Sequence, residues 1–176
     1  MGMADAGLSM CSLALRDYRI AACTACGACS KPPHKCVLAH SEDQAEELFS
    51  YLSRASFLLV ASPIHFYALP AHFKAFVDRA QRFWSAQIYK AAHTAASRTA
   101  VALLAAGRPR GVRLFDGALL TLDYFCRTQN FKIQESLGFR ALDTKKDLDA
   151  RPQVLTCVRT KAHAWGRHLA GQRPQE

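Results

Sequence analysis

No apolar run in these 176 residues is long enough to span a bilayer, and no basic segment followed by an apolar core stands at the start. A soluble, cytoplasmic chain that does not enter a membrane is expected. Also missing are a phosphate-gripping glycine loop, a Ser–His–Asp arrangement and a carboxylate pair, so P-loop, triad and two-carboxylate hydrolase chemistry are set aside. Acidic residues are scarce: 14 Asp and Glu against 23 Lys and Arg leave a net charge of +9. The basic residues are scattered and form no long run, which predicts a solvated surface that favours anionic ligands, with no nucleic acid as partner.

Half of the residues are hydrophobic, which excludes a disordered chain. The length suits one domain over 1–176, with a core over 12–170 and a polar tail over 172–176.

The organising stretch is Phe57 to Trp84. It opens with Phe57-Leu58-Leu59-Val60-Ala61, an apolar run of the length of a strand buried on both faces. Ser62-Pro63 ends that run, because proline lacks the N–H a central strand needs. Phe73, Phe76, Val77, Ala80, Phe83 and Trp84 then recur at helical spacing, behind Pro70 and ahead of Arg79 and Arg82 at the carboxyl end. In open α/β sheets ligands bind where strands end, so the loop Ser62 to Leu69 is the first candidate site.

The rest of the chain repeats this alternation. Ser12 to Ile20 reads as a short strand. Ser41 starts a helix with Gln44 at capping-box spacing, and Ala45, Leu48, Phe49 and Leu52 form its buried stripe. Thr99 to Ala106 is a second apolar strand, ended by Gly107-Arg108-Pro109-Arg110-Gly111. A helix follows with Phe115, Ala118, Leu119, Leu122, Phe125 and Cys126 on one face. A weaker strand is expected near Ile133 to Leu137. A turn-rich connection over Asp147 to Pro152 leads to a last helix carrying Val154, Val158, Ala162, Trp165 and Leu169. This pattern implies an α/β fold with a mostly parallel sheet between helices.

Seven cysteines, an odd number and without a secretion signal, point to thiols or metal ligands rather than disulfides. Cys23, Cys26, Cys29 and Cys36 give C-x2-C-x2-C-x6-C over the loop 23–36. Two-residue gaps let three thiolates wrap one face of a small inorganic core, and Gly27 allows a conformation most residues avoid. A [4Fe–4S] cluster, structural zinc and no metal all remain open, zinc fitting three successive two-residue gaps less well. His34 is a bystander or a substitute ligand. Cys126 and Cys157 are expected on apolar helix faces.

The cysteine run, Ser62-Pro63-Ile64-His65-Phe66-Tyr67 and Leu69-Pro70-Ala71-His72-Phe73-Lys74-Ala75-Phe76-Val77-Asp78-Arg79 together resemble the flavodoxin-like NAD(P)H-dependent FMN reductases. The likeness, from about Ser12 to Leu169, is closest to their iron–sulfur flavoprotein branch. It implies a flavodoxin-like three-layer sandwich and an FMN-dependent oxidoreductase that passes electrons between FMN and a [4Fe–4S] cluster. The alternative is a flavin-free iron–sulfur or zinc-binding protein.

By position, the resemblance assigns Ser62, Pro63, Ile64, His65, Phe66, Tyr67, Gly107 and Arg108 to the flavin, and Cys23, Cys26, Cys29 and Cys36 to the metal. No catalytic acid or base is expected, because the flavin carries the chemistry. The resemblance further implies a homo-oligomer, with Phe83, Trp84 and the following segment as candidate contacts, and NAD(P)H or a redox protein as electron donor. Two departures stand out: His65 occupies a place usually held by tyrosine, and the family's first strand and phosphate loop have no counterpart before Cys11. The chain thus reads as lacking that first βα unit.

Overall fold

The computed structural model describes residues 8–40, 42–89 and 97–171. Three parallel strands form the sheet: β1 (Phe57–Pro63), β2 (Arg98–Ala106) and β3 (Phe131–Arg140), in the order β1-β2-β3. The central strand is the apolar run over Thr99 to Ala106, and Ala100, Val101, Ala102 and Leu104 are buried on it. β3 is longer than expected and carries a register shift where Ala100 and Val101 face Ile133 and Glu135. Among the described residues no strand precedes Phe57, so β1 has one edge without a neighbour.

One face of the sheet is covered by α1 (Ala45–Arg54), α2 (Ala71–Arg79), α3 (Gln81–Tyr89) and α4 (Asp116–Thr128). Ala45, Leu48 and Phe49 meet Phe76, Phe125 and Phe131 in one cluster, with Phe49 and Phe76 stacked at 4.6 Å. Val60, Ala102, Leu104, Ala118 and Leu122 form a second cluster nearer the carboxyl edge. The other face carries α6 (Pro152–Ala170), where Trp165 lies 6.4 Å from Phe57 and donates Nε1–H to Glu135. Lys161 also pairs with Glu135. The expected stripe on α6 is only half-buried, and Leu59 of β1 stays 38% exposed.

Several expectations are corrected. Ser12 to Ile20 is not a strand: it is irregular around a single 3-10 turn, Leu15–Asp17. Its apolar side chains Leu13, Leu15, Tyr18 and Ile20 pack on the core without joining the sheet, so burial alone accounts for their pattern. The helix after Pro70 breaks at Ala80 into α2 and α3. Asp147 to Pro152 contains part of a short helix, α5 (Lys145–Asp149), started by a capping box between Thr144 and Asp147. Ser41, residues 90–96 and the tail over 172–176 lie outside the described residues.

The start of α1 is held by Asp43, whose Oδ1 accepts from Ala45 N at 3.2 Å, while the Gln44 side chain accepts from Arg19 N. Phe83 turns inward to meet Phe49 at 4.8 Å, whereas Trp84 stays partly exposed in a surface groove with Tyr124. No helix among the described residues is long and apolar enough to cross a membrane.

Candidate functional site

The carboxyl ends of β1 and β2 open into a cavity of about 220 Å3, lined by Ile64, Phe66, Tyr67, Ala106, Gly107, Arg108 and Leu114. Both strands end here because their apolar runs stop at Ser62-Pro63 and at Gly107. Of the residues expected to bind a cofactor, Ile64, Phe66, Tyr67, Gly107 and Arg108 come together at this mouth. Ser62 is buried beneath it, its hydroxyl donating to the Pro63 carbonyl at 2.8 Å. Pro63 stays registered with Ala105, and His65 forms the base of the neighbouring turn.

That turn is the most strained piece of backbone at the site. His65 and Ala68 exchange N–H···O bonds of 3.0 and 2.9 Å across Phe66 and Tyr67. Both central residues have positive φ, 51° and 65°, the pattern that two-residue hairpins usually fill with Asn-Gly. Such conformations persist only where the surroundings over-determine them.

Here they do. Arg108 places its guanidinium carbon 5.8 Å from the centre of the Tyr67 ring. A Cβ on Gly117, in the first turn of α4, would lie 2.9 Å from the Tyr67 carbonyl oxygen, so only glycine lets the helix approach this closely. Gly111, at φ +147°, leaves similar room beside the Tyr67 hydroxyl. The result is a fixed Tyr67 and a Phe66 ring held fully in solvent at the cavity mouth. No sequence signal pointed to this turn, because neither residue is a usual occupant of the left-handed region.

The cysteine segment supplies none of the residues that line this mouth. It is irregular, with one 3-10 turn (Ala28–Ser30) after Gly27 at φ +73°, and a cis bond between Pro32 and Pro33. Cys23 and Cys26 are exposed, and Cys29 and Cys36 are partly buried. Among the described residues no three side chains of His, Cys, Asp or Glu are gathered to hold a metal ion. The expected set of Cys23, Cys26, Cys29 and Cys36 therefore does not form a metal-sized cluster, despite its spacing. As arranged, these thiols do not fit a shared inorganic centre. Cys126 is buried in the core as expected, and burial pushes its thiol up to about 12, whereas Cys157, expected in the core too, is exposed on α6.

What fastens the segment is a buried ion pair that sequence reasoning missed. Arg79, at the carboxyl end of α2 as expected, is only 2% exposed. Its Nη1 donates to Asp43 Oδ2 at 2.7 Å and to the Ala21 carbonyl at 3.2 Å, and Asp43 Oδ2 also accepts from Ala21 N at 2.8 Å. Burial alone would raise the Asp43 carboxyl, but the bonds from Arg79, Ala21 and Ala45 outweigh it and hold it below its ordinary value. For Arg79, burial opposes the charge, while the bond to Asp43 and the neighbouring Cys36 thiol raise its pKa. Cys36 thus sits beside Arg79.

No curated protein matches the chain. Among solved structures, a chain described as a flavone reductase superposes with a TM-score of 0.60 at 14% identity, over 97% of this chain and 54% of that one. The chain thus spans about half the length of that structure, and the likeness is one of fold. It agrees with the flavodoxin-like architecture expected from the sequence. A family model for NADPH-dependent FMN reductases matches residues 2–128, most of the chain, and on that match the protein belongs to this family.

Proposed function

We propose that this chain is the flavin-holding part of an FMN-dependent, NADPH-consuming oxidoreductase, with the ring at the mouth formed by Ile64, Phe66, Tyr67, Gly107 and Arg108. Ser62, Pro63 and His65 support that mouth from below. The observation that carries the reading is the strained Phe66-Tyr67 turn, which holds an aromatic side chain in water beside an apolar cavity at the carboxyl edge. The cavity is smaller than the roughly 300–1,000 Å3 of a fully enclosing ligand site. That suits a planar group lying partly uncovered, within reach of a second planar reactant.

FMN, when bound, supplies hydride and electron chemistry, so the side chains here need only bind, orient and shield. Phe66 and Tyr67 offer flat faces, and Ile64 and Leu114 exclude water from the floor. The backbone N–H groups of the loop after β2 would meet polar atoms at the ring edge.

The spacing of Cys23, Cys26, Cys29 and Cys36 supports a [4Fe–4S] cluster, or zinc, as an additional centre. Their arrangement does not, and no step is assigned to one. A flavin titration followed by turnover tests the whole reading. Added FMN is expected to lose fluorescence with micromolar or tighter affinity, and NADPH is expected to be consumed only when FMN is present. Unquenched FMN would overturn the flavin assignment. Iron, sulfide and zinc assays on protein made without oxygen decide the cysteine run, and the absence of all three would remove the cluster.

A further inference from the structure

Several arginines of this protein are matched with carboxylates. Arg79 pairs with Asp43, Arg82 with Glu46, Arg113 with Asp116 and Arg127 with Asp123. At the carboxyl edge of the sheet two arginines come close together in the backbone without such a partner. Arg108 follows β2 and Arg140 ends β3, and the two backbones meet: Ala106 is registered with Arg140, and Ala141 N donates to the Arg108 carbonyl at 3.4 Å.

Among the described residues neither arginine forms an ion pair, and nor does the exposed Arg110 nearby. Aromatic faces hold them instead. The guanidinium carbon of Arg108 lies 5.8 Å from the Tyr67 ring centre, and that of Arg140 lies 5.4 Å from Phe115. An aromatic face orients a guanidinium without cancelling its charge, so the edge keeps both its geometry and its positive field. Asp143 stands at the same edge against Gly107, and it pairs with neither arginine.

We propose that Arg108 and Arg140 form a site for a phosphate monoester at the mouth of the cavity. Planar guanidinium forks match phosphate oxygens two at a time, which a scattered basic surface does not provide. Resting on the flavin reading above, two reactants present this chemistry: the 2′-phosphate of NADPH and the 5′-phosphate of FMN.

The experiment titrates the full chain by calorimetry with two matched pairs, adenosine 2′-phosphate against adenosine and FMN against riboflavin. In at least one pair the phosphorylated member is expected to bind about tenfold or more tightly, and that pair identifies the source. Arg140→Gln, which leaves the cavity lining intact, is expected to bring this ratio most of the way to one. Arg108→Gln should do the same. A ratio near one in the wild type, or one unchanged in both variants, would overturn the phosphate site while leaving the flavin reading intact. Failure of both FMN and riboflavin to bind would overturn the flavin reading, and the adenosine pair would still decide the phosphate site.

Discussion

Asp43→Ala is expected to destabilise the protein by about 3–5 kcal/mol, because it strands the Arg79 guanidinium in the core without its counter-charge. That is a large part of the roughly 5–15 kcal/mol available to a domain of this kind. Three bonds converge on the lost carboxylate: those from Arg79, from Ala21 and from the first turn of α1. Its loss therefore frees the cysteine segment from both helices at once. Urea unfolding gives the free energy directly. A double replacement, Asp43→Leu with Arg79→Met, should recover much of the loss, since removing both charges leaves nothing buried and unpaired.

The same pair predicts a pH dependence. The folded Asp43 carboxyl is held below its ordinary value, so its contribution is complete above about pH 4 and disappears as pH falls through the folded value. The stability gap between wild type and Asp43→Ala should then be widest at neutral pH and narrow in acid. A gap that stays constant down to strong acid would mean that the ion pair contributes little.

Gly117→Val is expected to weaken FMN binding tenfold or more while leaving the secondary structure in place. The added side chain would collide with the Tyr67 carbonyl oxygen, which lies 2.9 Å from the site of a Cβ. Either α4 or the turn must move, and overpacking of this kind costs about 1–3 kcal/mol. The turn gives way more easily, because Phe66 and Tyr67 are already strained. Gly171→Ala serves as the control: a Cβ there meets only Arg167 and His168 carbonyls at 3.6 and 3.7 Å, and binding should not change. Equal FMN affinity in Gly117→Val, measured by fluorescence, would separate the turn from the flavin.

What could be read from the sequence was whatever local patterning decides. The runs Phe57 to Ala61 and Thr99 to Ala106 are apolar on both faces, and each became a parallel strand. The stripe Ala118, Leu122, Phe125 and Cys126 became the buried side of α4. Ser12 to Ile20 failed because strand identity depends on a partner elsewhere in the chain, whereas its apolar residues needed only a surface to cover.

Arg79 stands at the helix end the sequence indicated, but its burial and its partner were not legible, for a similar reason. Its partner Asp43 lies 36 residues away, and helix position alone predicts solvent for an arginine in a last turn. Of the candidate site, the sequence located the two loops but not the turn between His65 and Ala68. The left-handed conformations of Phe66 and Tyr67 lie against Arg108, Gly111 and Gly117, which are distant in sequence. Cysteine spacing described how a cluster could be wrapped, and said nothing of Cys36 lying beside Arg79.

The proposed flavin ring lies against Phe66 and Tyr67. Nuclear Overhauser contacts between the isoalloxazine protons of added FMN and assigned protein side chains test this most directly. Contacts to Phe66, Tyr67 and Ile64 are predicted. Contacts confined to another surface, with these three side chains unperturbed, would contradict it.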